Sequence, residues 1–182
     1  IHTNSAQTIQ ECVVFAKKHG LKPVIVGGRD SWMITDFLKN NNVSVILGET
    51  HSLPRRQHGD IDQPFKTPAQ LQEAGVLFAF SGGGNWQNRN LGFQAGQAVG
   101  YGLAYEDAIK ALTSNTAKIL GIDDTVGTIE EGKNATFFIS EGDALDMRTA
   151  KVTEAFIEGR QLDLDNKQKM LYNKFQQKYR TR

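Results

Sequence analysis

The sequence predicts an α/β fold built on a parallel sheet, and three observations carry that prediction. Short apolar runs alternate at close intervals with segments of helical periodicity, the order that βαβ units produce. The runs are apolar at consecutive positions, as strands buried on both faces are. After residue 122 the period changes, and glycine-punctuated β-rich stretches add a second, antiparallel element.

The elements follow in order. Ile1-His2 reads as the end of a strand, so the sheet is expected to begin before it. Ser5 to His19 is amphipathic at helical spacing, with Ser5 as N-cap and Gly20 as stop. The lone cysteine, Cys12, shares the stripe of Ile9, Val13 and Ala16 and reads as a structural thiol. "KPVIVGG" (22–28) is a strand, Asp30 or Ser31 caps "SWMITDFLKNN", and "VSVILG" (43–48) is the next strand. A polar loop then runs from Glu49 to about Lys66. Thr67 as cap and Pro68 at the first helical position mark the start of "TPAQLQEAG". "VLFAF" (76–80) closes the parallel series. "LGFQAGQAVGYGL" and "AYEDAIKALTSNTAKILGI" read as two helices. "TVGTIEEGKNATFFIS" and "KVTEAFIEGRQLDL" read as antiparallel strands. The tail carries Leu171, Phe175 and Tyr179 on one stripe and reads as a docked amphipathic helix.

With 182 residues, 39% apolar, 23% charged and a net charge of +1, the chain is long enough for one core. It has no general drive toward nucleic acid or anionic lipid, and its basic tail lacks a base-stacking platform. No apolar run approaches the ~20 residues that span a bilayer. Nucleic acid and membrane are therefore not expected partners; a small molecule is. The first residue is not methionine, so it is read as other than the native start. The compartment, cytoplasmic or periplasmic, stays open.

The stretch "EDAIKALTSNTAKILGIDDTVGTIEEGKNATFFI" resembles the C-terminal segment of the amidohydrolase superfamily, in its imidazolonepropionase-like branch. The positions that carry the resemblance are Thr113, Asn115, Ala117, Leu120, Gly121, Gly127, Ile129, Gly132, Lys133 and Ala135. "EAFIEGRQL" resembles the strands closing that family's small β-sandwich. The resemblance implies the C-terminal half of a TIM (β/α)8 barrel, strands five to eight, followed by part of the sandwich and a C-terminal helix. The corresponding bounds are 1–122, 123–164 and 165–182. A free-standing flavodoxin-like domain would explain the βα units but not the strands after residue 125. The missing N-terminal half of the barrel is then the first expected partner, and homo-oligomerisation stays open.

In barrel enzymes the chemistry sits at the C-terminal strand ends. The resemblance implies a hydrolase of non-peptide C–N bonds, amide or cyclic amide, using water activated by a divalent metal, zinc first. His2 matches the metal-binding histidine after strand five. The strand-six position, Val26-Gly27-Gly28, offers no histidine, and the strand-eight position, Phe80-Ser81-Gly82-Gly83-Gly84, offers no aspartate. The implied site is both halved and altered. In the polar loop, Glu49, His51, His58, Asp60 and Asp62 are either metal-competent donors or a solvated surface; His51, nearest the strand end, is the favoured catalytic member. Arg55 and Arg56 suit a substrate carboxylate. Ser81 and Asn85 border a glycine run whose N–H groups suit an anion, and Trp86 stands where it would cover the barrel mouth. Two rivals accompany the enzyme reading: a non-catalytic small-molecule binder that has lost its metal site, and an assembly subunit whose exposed strand edges self-associate.

Overall fold

The computed structural model describes residues 1–53 and 58–180. Strands β1 (His2–Thr3), β2 (Val24–Gly27), β3 (Ser44–Leu47) and β4 (Phe78–Phe80) form one parallel sheet in chain order. Helices α1 (Ala6–Lys18), α2 (Thr35–Asn40) and α3 (Gln63–Ala74) make the three crossovers. Then come α4 (Leu91–Gly100), α5 (Tyr105–Leu112) and α6 (Ser114–Leu120). A separate antiparallel sheet follows, made of β5 (Phe137–Glu141), β6 (Lys151–Ile157) and β7 (Arg160–Gln161), and α7 (Lys167–Arg180) ends the chain. The mixed α/β class and the parallel sheet are as the sequence predicts.

Register decides which side chains meet the core. Ile25, Val45 and Phe78 stand in one cross-strand row and are fully buried against Ile9, Val13, Leu38 and Leu71. Each such side chain contributes about 1.5–3 kcal/mol by leaving water. The neighbouring row, His2, Val26, Ile46 and Ala79, points to the opposite face by strand alternation. In that row only Ala79 is fully buried, and His2 is exposed. The sheet is therefore covered by helices on one face and largely open on the other.

Local chemistry accounts for the boundaries. The Ser5 hydroxyl accepts the Thr8 N–H at 3.2 Å, and Lys17 and Lys18 sit in the last turn of α1, complementing its dipole. At the end of β2, Gly28 has φ +58°, and a Cβ there would stand 2.6 Å from Val45 Cγ1. Only glycine allows the chain to turn off the sheet so close to β3. Cys12 is half-buried beside the Ile9–Val13–Ala16 stripe rather than enclosed by it.

Three expectations are corrected. Helix α3 begins at Gln63, one turn before the Thr67-Pro68 start signal, because Pro64 supplies the same restricted φ in the first turn. Pro68 then lies inside the helix, where it removes one backbone hydrogen bond. The helix expected over 104–122 breaks at Thr113, whose φ −123° and ψ −92° are not helical. Threonine hydroxyls take main-chain acceptors around the break: Thr113 Oγ1 donates to the Ile109 carbonyl at 2.7 Å, and Thr116 Oγ1 to that of Ala111 at 2.8 Å. Finally, α7 is helical but not docked. None of its residues is buried, and Phe175 and Tyr179 remain 49% and 67% exposed, because no described element lays an apolar face against that stripe.

Candidate functional site

The C-terminal ends of β1, β2 and β3 open onto a cleft of about 170 Å³. Asn4, Gly27, Arg29, Gly48, Glu49 and Thr67 are among its walls. Glycines at 27 and 48 thin the floor, and Arg29 supplies a half-exposed guanidinium 3.6 Å from Asp30.

The loop after β4 joins this edge by a clasp. Ser81 donates both its N–H, at 2.9 Å, and its hydroxyl, at 2.8 Å, to the Leu47 carbonyl at the end of β3. The Ser81 oxygen is thus engaged with the main chain in this state. Beyond it the glycine run is crossed by a side chain from the next strand: a Cβ built on Gly83 would collide with the Glu49 carboxylate. Asn85 is exposed, and Trp86 is 74% exposed with the Arg89 guanidinium 4.5 Å over its ring.

After β3 the chain divides its side chains between two clefts. Thr50 is buried, its N–H donates to Gln94 Oε1 at 2.9 Å, and its hydroxyl lies 3.4 Å from the same oxygen. This anchor turns Glu49 toward the strand-end cleft. His51 goes the other way, edge-on to Phe65 at 6.3 Å, into a second cleft of about 430 Å³ that Tyr105, Asp143 and Arg148 also line. Glu49 and His51 therefore line different clefts, and Ser81 is a lining residue of neither.

The loop donors disperse as well. Lys66 donates to Asp60 at 2.5 Å, and this bond, with the Asp62 N–H, holds the Asp60 carboxyl below its ordinary range while raising the Lys66 ammonium. Tyr101 donates to Asp62 at 3.3 Å; loss of water around the phenol, then the Asp62 charge, raises Tyr101. Among the described residues no three His, Cys, Asp or Glu side chains form a group able to hold a metal ion. His2 stands on the open face, beside Val26. Arg55 and Arg56 lie outside the described residues.

Gln94 and Thr50 were missed by the sequence reading. The signal was present: Gln94 shares a helical arc with Leu91, Ala95 and Ala98, a polar residue on the apolar side of α4. Glu49 over Gly83 carries no such signal, since the two lie 34 positions apart.

Comparison with known proteins defines the class. Residues 68–162 match the model of the Amidohydrolase family, and the chain belongs to that family. It is similar to the crystal structure of an amidohydrolase from Thermotoga maritima MSB8, with 28% identity and a TM-score of 0.76 over 89% of this chain. It also resembles an adenosine deaminase from Xanthomonas campestris with bound zinc, at 20% identity and a TM-score of 0.60 over 98% of this chain. A Xaa-Pro dipeptidase with methionine in its active site aligns at 19% identity and a TM-score of 0.61 over 88%. The last two show the fold alone. The chain spans 42%, 50% and 49% of these three proteins, respectively. No curated protein matches it. Among the described residues, no helix is long and apolar enough to cross a membrane.

Proposed function

We propose that this chain is the C-terminal part of a metal-dependent hydrolase that cleaves amide or cyclic amide C–N bonds, of the imidazolonepropionase-like branch. On this reading β1 to β4 are barrel strands five to eight, residues 1–122 are the partial barrel, 123–164 the partial sandwich and 165–182 a terminal helix. The observation that supports it most is the parallel sheet in chain order with its open face. The row His2–Val26–Ile46–Ala79 suits the inner layer of a barrel whose other strands are supplied elsewhere.

Among the described residues the donors do not by themselves fit a metal, because no three His, Cys, Asp or Glu side chains come together and His2 supplies a single imidazole. Further ligands would come from the remainder of the barrel, and the isolated chain is then inactive. His51, Ser81 and Asn85 are kept as catalytic proposals, and Arg55, Arg56 and Trp86 as substrate-binding ones, for a small-molecule substrate. The second reading, a small-molecule binder without a metal, draws support from the Ser81-Gly82-Gly83-Gly84 run, which places no ionisable side chain at the end of β4.

The deciding experiment is metal content by plasma mass spectrometry on the full-length protein and on this chain, each with His2→Ala. Near-stoichiometric zinc or manganese in the full-length protein, lost in the variant, is the expected result. A metal-free full-length protein would remove the metal-dependent reading and leave the binder.

A further inference from the structure

We propose that Glu49 is the proton-transferring group of this site, an inference that rests on the hydrolase reading above. Hydrolysis of a C–N bond needs one group that removes a proton from the attacking water and returns it to the departing nitrogen. The strand ends offer few choices. The chain leaves β1 through Asn4, β2 through Gly28 and Arg29, and β4 through Ser81 and three glycines. Among the described residues lining the strand-end cleft, Glu49 is the one carboxylate.

Its position is built rather than incidental. On the preceding side, the Leu47 carbonyl accepts both Ser81 donors, and the Gly48 N–H donates to the Gly27 carbonyl at 3.0 Å. On the following side, the Thr50 N–H is bound by the buried Gln94 at 2.9 Å. Glu49 is therefore the free residue of a segment pinned at both ends, and its side chain reaches across to the β4 loop. The absence of a side chain at Gly83 is what leaves room for it, since a Cβ there would strike the carboxylate. Glycine at 83 and glutamate at 49 thus act as one unit: the neighbouring strand delivers an acid into space that the β4 loop leaves vacant.

Among the described residues the carboxylate is also uncommitted. Asp60 is paired with Lys66, Glu130 with Lys133, Glu141 with Lys151 and Asp146 with Arg148. Among the described residues Glu49 has no such cation and no hydrogen-bond donor. In the step inferred, Glu49 takes one proton from water as the water oxygen bonds to the amide carbon. It then gives that proton to nitrogen as the C–N bond breaks. One water is consumed, the carbonyl carbon becomes an acid and the nitrogen is released from it, as a separate amine or at the other end of an opened ring, and Glu49 is ionised again.

The test uses the full-length protein with 4-nitroacetanilide and dihydrouracil, an open-chain and a cyclic amide. Glu49→Gln is expected to lower kcat by ~10²–10⁴-fold and to erase the low-pH limb of the kcat/KM profile, while Glu49→Asp keeps that limb. Gly83→Ala, which displaces the carboxylate without altering it, should reproduce the Gln variant; it also carries the test if Glu49→Gln does not fold. Wild-type turnover with Glu49→Gln or Gly83→Ala within about threefold, or with the low-pH limb retained, overturns this role and leaves the hydrolase reading standing. No wild-type turnover of either amide overturns both.

Discussion

Replacing Gln94 with methionine tests the anchor that sets the directions of Glu49 and His51. Gln94 is 2% exposed and Thr50 4% exposed, so water does not compete for their contact. Methionine keeps the length and most of the volume of glutamine and creates little cavity. The loss is then that of one acceptor: the Thr50 N–H, bound at 2.9 Å, is left buried and unpaired. An unsatisfied buried donor costs about 1–3 kcal/mol. For a chain of this size that corresponds to a fall in Tm of roughly 2–4 °C per kcal/mol, or about 2–12 °C. Urea denaturation should show a lower midpoint with an unchanged slope. Thr50→Val is the companion: it removes only hydroxyl contacts at 3.4 and 3.5 Å, near the outer limit of a hydrogen bond, and should cost less than about 1 kcal/mol. A Gln94→Met cost below about 0.5 kcal/mol, or a Thr50→Val cost equal to it, would refute the claim that the peptide N–H carries this anchor.

Two further outcomes are expected. Arg148 hydrogen-bonds Asp146 and, with its own backbone N–H, pulls that carboxyl from the ordinary 3.8 to about 2. Because the folded value is the lower one, the resulting stabilisation is present above the unfolded pKa and fades as pH falls toward about 2. In Arg148→Ala a carboxyl NMR titration should find Asp146 moved up toward the ordinary range; an unmoved titration would show that Arg148 is not the cause. Ending the chain after Asp165 removes α7, which buries no residue. Thermal unfolding should then shift by no more than about 2 °C, whereas a larger fall would mean that the Leu171–Phe175–Tyr179 stripe is packed in solution.

The fold was legible where one segment carried its own signal. The runs ending at Gly27 and Leu47 announce buried parallel strands because both faces of such strands are apolar, and Ser5 marks the start of α1 by chemistry confined to one turn. Boundaries were less legible where two signals competed. Pro64 and Pro68 both fit a helix start, and the earlier one takes it. The threonines at 113 and 116 offer the backbone partners that divide a helix which periodicity alone would continue. For the tail, an amphipathic stripe predicts a helix but not a surface to receive it, since docking depends on a face elsewhere.

By itself, the sequence determined the α/β order, the change to antiparallel strands after residue 122, and the family, because those signals are periodicities and motifs read within a few tens of residues. It also established that the loop after β4 carries no acid. Only the tertiary structure decided that the Ser81 hydroxyl is held by Leu47, that Thr50 and Gln94 send Glu49 and His51 into separate clefts, and that the Glu49 carboxylate stands over Gly83. Those contacts join residues 34 to 44 positions apart, and parallel pairing of β3 with β4 is what brings them together. No local pattern encodes such a pairing, since it is set by the crossover helices packing on the sheet.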